Sequence, residues 1–115
     1  MSVGITASDL GSALVLEAPE RVPDGGGGWE VAWQPLGTLW ASMRATGAAE
    51  REHGARGYGR VTHRVIVRSA PAHSPRRPRA DQRFLAGDRV LNVRGVAEAR
   101  EPGFLICWCE EGPLA

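Results

Sequence analysis

The chain has 115 residues, 43% of them hydrophobic, enough for one domain around a single modest core. Its 15 Gly and 8 Pro favour short strands and turns over long helices. A net charge of only +1 argues against a wholly basic nucleic-acid binder. No apolar run approaches the ~18 residues of a membrane span, and no basic-then-apolar leader opens the chain, so a soluble protein without a membrane partner is expected.

That small net charge hides a strong asymmetry. Residues 1–55 hold three Arg and seven acids (−4), residues 56–83 eight Arg and one acid, Asp81 (+7), and residues 84–115 three Arg and five acids (−2). All 14 basic residues are Arg. The guanidinium fork suits carboxylates and phosphates, although a GC-rich genome would also favour Arg codons. Four of the seven aromatic residues are Trp, and these large rings are expected to fill much of the core.

Residues 1–10 form a short N-terminal arm, expected to be flexible unless it docks. Ser12 to Ala18 reads as the first strand, ended by Pro19. Pro23-Asp24 and four glycines, Gly25 to Gly28, make a hairpin tip; a phosphate loop would need Gly-Lys-Ser/Thr and a following helix. Trp29 to Trp33 alternates as a short strand, Pro35 and Gly37 mark a bend, and Thr38 to Thr46 is the next long strand. Leu39, Ala41 and Met43 share one of its faces, and Trp40, Ser42 and Arg44 the other; the pattern alone leaves open which is inward.

The stretch Leu39 to Ser69 organises the rest. Its second strand, Arg60 to Ser69, alternates Val61, Val65 and Val67 with Thr62, Arg64 and Arg68, and only Ile66 puts an apolar residue on the charged face. Between the two strands lies a Gly-punctuated, charged excursion, Gly47 to Gly59. An ordinary hairpin uses two to five residues, so a loop of this length is either disordered or functional. A second irregular stretch, Ala70 to Ala80, has Pro71, Pro75 and Pro78, which favour an extended course. Gln82 to Ala86 reads as a short edge strand, Arg89 to Val96 as a strand, and Phe104 to Glu110 as a last strand apolar on both faces, hence central or covered. Together these predict a mainly β protein: a small antiparallel barrel of about six strands with two long loops, one domain over 1–115.

No catalytic constellation is legible, and the chain is expected not to be an enzyme. His63 lies on the Val61/Val65 face as a packed or rim residue, His53 neighbours Glu50 and Glu52 without a second His, and His73 sits among prolines. Cys107 and Cys109 share a strand face at the edge of disulfide reach and read as reduced core or interface residues of an intracellular protein. A metal module using both and a His is conceivable in principle, yet structural zinc pairs use a two-to-four-residue gap. No cofactor or metal is expected. Arg76, Arg77 and Arg79, in their proline-stiffened loop, are candidates for contact with a partner or with phosphates.

The order Trp29, Leu39-Trp40-Ala41-Ser42-Met43, Thr62-His63-Arg64-Val65-Ile66-Val67-Arg68, Gly87-Asp88-Arg89-Val90-Leu91-Asn92-Val93 and Leu105-Ile106-Cys107-Trp108-Cys109-Glu110 resembles the head–tail joining family. These are the head-completion or stopper proteins of long-tailed phages and gene transfer agents. The likeness runs from about Leu14 to Glu111 and rests on order and spacing together. It implies a β-barrel protomer in a homo-oligomeric ring, a hexamer, at the neck of a virion or phage-like particle assembled in the bacterial cytoplasm. Its partners would be the portal or adaptor ring on the head side, the tail terminator on the tail side, and packaged double-stranded DNA in the channel. The loop facing that DNA would be the 47–59 excursion, with Gly47, Glu50, Arg51, Glu52, His53, Arg56 and Tyr58. The long basic Ala70 to Ala80 stretch departs from the family pattern, so its role is not inherited. The competing expectation is a small barrel that binds nucleic acid through Arg60, Arg64, Arg76, Arg77 and Arg79.

Overall fold

The structure, a computed structural model, describes residues 5–46 and 62–112. Its strands are β1 (Ser12–Pro23), β2 (Trp29–Ala45), β3 (Thr62–Arg68), β4 (Arg83–Ala86), β5 (Arg89–Glu98) and β6 (Phe104–Gly112). Neighbours pair antiparallel in the order β1-β2-β3-β6-β5-β4, and β4 pairs back onto β1 to close a barrel. The expected architecture is present. β4, predicted as an edge strand, instead has a partner on each side, with Leu85 opposite Val15 of β1 and Val90 of β5. Closure leaves the barrel proper without an open edge.

Period-two alternation builds the interior. Leu14 and Leu16 of β1, Leu39 and Ala41 of β2, Val65 and Val67 of β3, Phe84 of β4 and Leu91 and Val93 of β5 all point inward and are buried. Leu105, Cys107 and Cys109 complete the packing from β6, the central strand predicted from its apolar run. Ahead of β1, a single 3-10 turn (Ala7–Asp9) is closed by the Thr6 N–H donating to Asp9 Oδ2 at 2.9 Å, and Leu10 docks against the barrel as a buried side chain.

Tryptophan does not fill this core. Trp29, Trp40 and Trp108 are 58%, 60% and 44% exposed, and Trp33 is only half-buried, so the expectation of a Trp-filled interior is overturned. Trp40 and Trp108 alternate outward with the regular period of β2 and β6, and for Trp29 and Trp33 the cause is a bulge. Leu16 pairs with Gly37, but Glu17 pairs with Pro35, so Leu36 is an extra residue on β2. One inserted residue reverses which face the preceding side chains occupy. Leu36 packs against the core, while Trp29, Val31 and Trp33, which would otherwise share the face of Leu39 and Ala41, turn outward. Gly37 carries the distortion at φ +139°, a region that favours glycine.

Beyond the bulge, residues 18–23 and 29–34 pair, among the described residues, only with each other, as a two-stranded ribbon that continues past the barrel. Pro19, expected to end β1, lies within it, and the bend expected at Pro35 is continuous strand. Pro19, Pro23 and Pro35 all fall on the same alternate set of cross-strand pairs. Their missing N–H groups therefore cost no ladder bond, because that set faces away from the partner strand. At the tip, the Asp24 carboxylate accepts the N–H groups of Gly26 (2.8 Å) and Gly28 (3.0 Å), and these bonds hold it below the usual carboxylate range. Gly25 and Gly27 supply the positive φ that this tight turn requires.

Candidate functional site

β2 runs from the ribbon to residue 45, so the ribbon and the 47–61 segment leave opposite ends of the barrel. Gly47, Glu50, Arg51, Glu52, His53, Arg56 and Tyr58 lie outside the described residues. The points where that segment leaves and rejoins the barrel are well defined. The Thr46 N–H donates to the Thr62 carbonyl at 2.9 Å, and the two threonine hydroxyls hydrogen-bond to each other.

A polar brace stands next to this base. His63, 3% exposed, faces the interior, and its Nε2 lies 3.1 Å from Arg89 Nη2. A guanidinium only donates, so Nε2 accepts and the ring proton resides on Nδ1, which has no partner among the described residues. Burial, followed by the positive charge of Arg89, pushes His63 below the ordinary imidazole range, against the opposing pull of Glu111. Arg89 forks onto Glu111, with Nε and Nη2 at 3.0 and 2.9 Å from its two oxygens, and this bond holds the Glu111 carboxyl low. The histidine read as packed or rim is thus a packed member of a three-residue cluster.

The Pro/Arg-rich stretch is folded against the barrel. Pro78 is fully buried, and Arg77 Nη1 and Arg79 Nη2 donate to the carbonyls of Ala70 and Ala72, each at 2.9 Å. Arg77 also lies 3.7 Å from Glu98, and the Arg79 N–H donates to the side chain of the buried Gln82. Two of the three arginines singled out by sequence thus brace their own loop. Arg76 differs: its guanidinium reaches toward Gly37 and has no carboxylate partner among the described residues.

Arg76 borders a groove of about 420 Å³ between β2, β3 and this loop, whose lining includes Leu39, Trp40, Val67, Arg68 and Pro71. Trp40 belongs to the face left undecided by sequence, and the structure turns it outward with Ser42 and Arg44. On the same outer surface Arg64 sits directly opposite Arg44 on one side and Trp108 on the other, its guanidinium 5.9 Å from the indole centroid. Arg44, Arg64, Arg68 and Arg76 carry no ion pair among the described residues. Sequence reasoning passed over Trp40, Arg44 and Arg68 as a site, although their alternation with buried residues, together with Ile66 on the charged face, was the available signal.

This surface presents guanidinium groups and an exposed indole to solvent. Cys107 and Cys109 are free and buried, and burial pushes both thiols up to about 12, far from thiolate reactivity at neutral pH. No three potential metal ligands converge among the described residues.

Two solved structures resemble this chain over most of its length. A chain from the virion of a native gene transfer agent particle is 38% identical, with a TM-score of 0.72, covering 92% of this chain and 97% of that one. A protein of Shigella flexneri 2a, solved in solution, shares the fold at 20% identity with a TM-score of 0.66, covering 94% of this chain and 97% of its own. Among curated proteins none matches. The sequence model of the phage head completion protein matches residues 5–112, and the chain belongs to that family.

Proposed function

We propose that this protein is a head-closure component of a tailed phage or gene transfer agent particle, a structural connector that joins the portal or adaptor to the tail. The observation that carries the reading is the near full-length match, at 38% identity, to a chain of a gene transfer agent virion. Working as a ring of identical copies, a hexamer, it would stand at the particle neck with double-stranded DNA in its channel. The barrel supplies a rigid frame, and the 47–59 loop, anchored at the Thr46–Thr62 hydrogen bond, would face that DNA. Mixed charge in that loop (Glu50, Arg51, Glu52, Arg56) suits a channel that must retain DNA without gripping it. The chain would act without turnover and without a cofactor.

Two experiments test this. Particles lacking the gene product should be untailed heads by negative-stain microscopy. Deleting Gly47 to Gly59 should leave a folded protein, but particles that lose DNA or fail to join tails; normal filled, tailed particles would refute the loop's role. Arg44, Arg64, Arg68 and Arg76, which carry no ion pair among the described residues, also favour a second reading, direct binding of duplex DNA. That reading requires salt-dependent binding of free duplex at micromolar protein, and no retention at ~50 mM salt eliminates it.

A further inference from the structure

We propose that the free edge of β2 in the ribbon, residues 29–34, docks an extended segment of a different protein, one that alternates apolar with basic residues. The inference rests on the connector reading above and names the kind of segment that binds. Three observations carry it.

The two edges of the ribbon are built differently. In the pairs Pro19–Trp33, Arg21–Val31 and Pro23–Trp29 the backbone groups face away from the opposing strand, toward the open edges. On β1 that outward set is Pro19, Arg21 and Pro23, so two of its three N–H groups are missing and the edge is closed to a further strand. On β2 it is Trp29, Val31 and Trp33, which keep their N–H groups, and Pro35 ends the run. Among the described residues β3 pairs with β2 only from Ala41 to Ala45, and no turn or loop backbone bond reaches Trp29, Val31 or Trp33. An edge with free backbone groups is a template for another strand, and a two-stranded ribbon is marginal in water without one.

The two faces specify what that strand carries. Directly paired residues share a face, so Trp29, Val31 and Trp33 stand together on one side. Trp29 and Val31 are 58% and 55% exposed there, with Arg21 laid over the Trp29 ring at 5.1 Å. The opposite face holds Glu20 and Glu30, both exposed, and no basic residue. Neither acid forms an ion pair among the described residues. An incoming strand therefore sets apolar side chains beside Val31 and the indoles, and basic ones beside Glu30.

Symmetry decides whose strand it is. The barrel itself is closed. Among the described residues, the matching edge of a second copy is its own β2, and a β2-to-β2 contact is isologous and stops at a dimer. A ring needs a heterologous contact, so this edge is left for a different chain.

The experiment uses the purified full-length chain and a fluorescein-labelled peptide of about six residues alternating arginine and valine. Binding should be saturable. It should weaken roughly tenfold when the peptide's backbone amides are N-methylated, and again when its arginines are replaced by glutamates. Val31→Pro removes an outward N–H from the same set that already holds prolines, so it should cut binding about tenfold with an unchanged melting curve. Glu30→Arg should also weaken the arginine peptide, and favour the glutamate version. No binding, equal binding of the N-methylated peptide, or binding indifferent to both Val31→Pro and Glu30→Arg overturns the inference. Self-association of the native chain that Val31→Pro abolishes overturns it too, because the edge then belongs to a second copy. Absence of peptide binding alongside untailed heads in the gene-removal experiment sinks this edge alone, whereas tailed, filled particles without the protein sink the connector reading itself.

Discussion

The two sides of this barrel use the same residue type in opposite ways. Around β4, β5 and the end of β6, Arg83, Arg89 and Arg94 are each matched to a glutamate: Glu17 at 2.7 Å, Glu111 at 2.9 Å and Glu110 at 3.1 Å. Around β2 and β3, Arg44, Arg64, Arg68 and Arg76 have no such match among the described residues, and Arg44 and Arg64 stand directly opposite one another. Like charges in register cost stability that a lone barrel has no reason to bear. One side braces the fold, and the other leaves its guanidinium groups without an ion pair among the described residues.

The aromatic residues divide the same way, which gives the largest expected effect. Phe84 is fully buried, so Phe84→Ala should destabilise by about 3–5 kcal/mol through lost burial and a cavity. Trp40→Ala, although it removes a larger ring, should move stability by no more than about 0.5 kcal/mol, because that ring is 60% exposed. Urea unfolding of both variants checks the pair; a Trp40→Ala loss comparable to that of Phe84→Ala would erase the distinction.

The arginines come next. Arg83 is 12% exposed, as is Glu17, and its guanidinium also lies 4.1 Å from the Trp33 ring centroid. Arg83→Ala leaves Glu17 buried and unpaired and should cost roughly 3 kcal/mol. Arg68→Ala should cost less than about 0.5 kcal/mol while weakening assembly. Thermal melts of the purified protein, set against particle yield, separate the two.

His63 gives a pH signature to the braced side. Its folded-state value lies below 6.5, so the unfolded chain binds the extra proton first on acidification. Its contribution to stability is full above pH ~6.5 and falls as pH drops from there through the depressed folded value. Unfolding midpoints at pH 7.5 and 5.5 should differ in that direction, and His63→Gln should flatten the difference. Glu111, held low by Arg89, adds a separate loss confined to pH values below the usual carboxylate range. The smallest effect belongs to the β2–β3 side. Arg44→Glu replaces a like-charge neighbour of Arg64 with an opposite one and should stabilise the isolated chain by ~0.2–1 kcal/mol. Reduced assembly in that same variant would mark the surface as kept for contact at the expense of stability.

Much of the barrel was legible because each strand carries its own period. Val65 and Val67 against Arg64 and Arg68, or Leu91 and Val93 against Asn92, state which side is inward within a few residues. The family likeness was legible for a related reason, since it rests on the order of such strands. Arg77 and Arg79 were visible as a basic cluster, but nothing local indicated that their guanidinium groups would close on Ala70 and Ala72 seven residues back. The His63–Arg89–Glu111 cluster was hidden because its members come from three different strands.

By itself the sequence determined the number and order of the strands, the inward aliphatics of β3 and β5 and the absence of a long helical pattern, because alternation and turn residues act over a few positions. Only the tertiary structure decided where the tryptophans go and what the arginines do. A single bulge at Leu36, defined by the pairing of β1 with β2, reverses the outlook of Trp29, Val31 and Trp33. Barrel closure then brings glutamates from distant strands to some arginines and leaves others facing outward. Both outcomes depend on which strands become neighbours and in what register, and that is a property of the closed sheet rather than of any one segment.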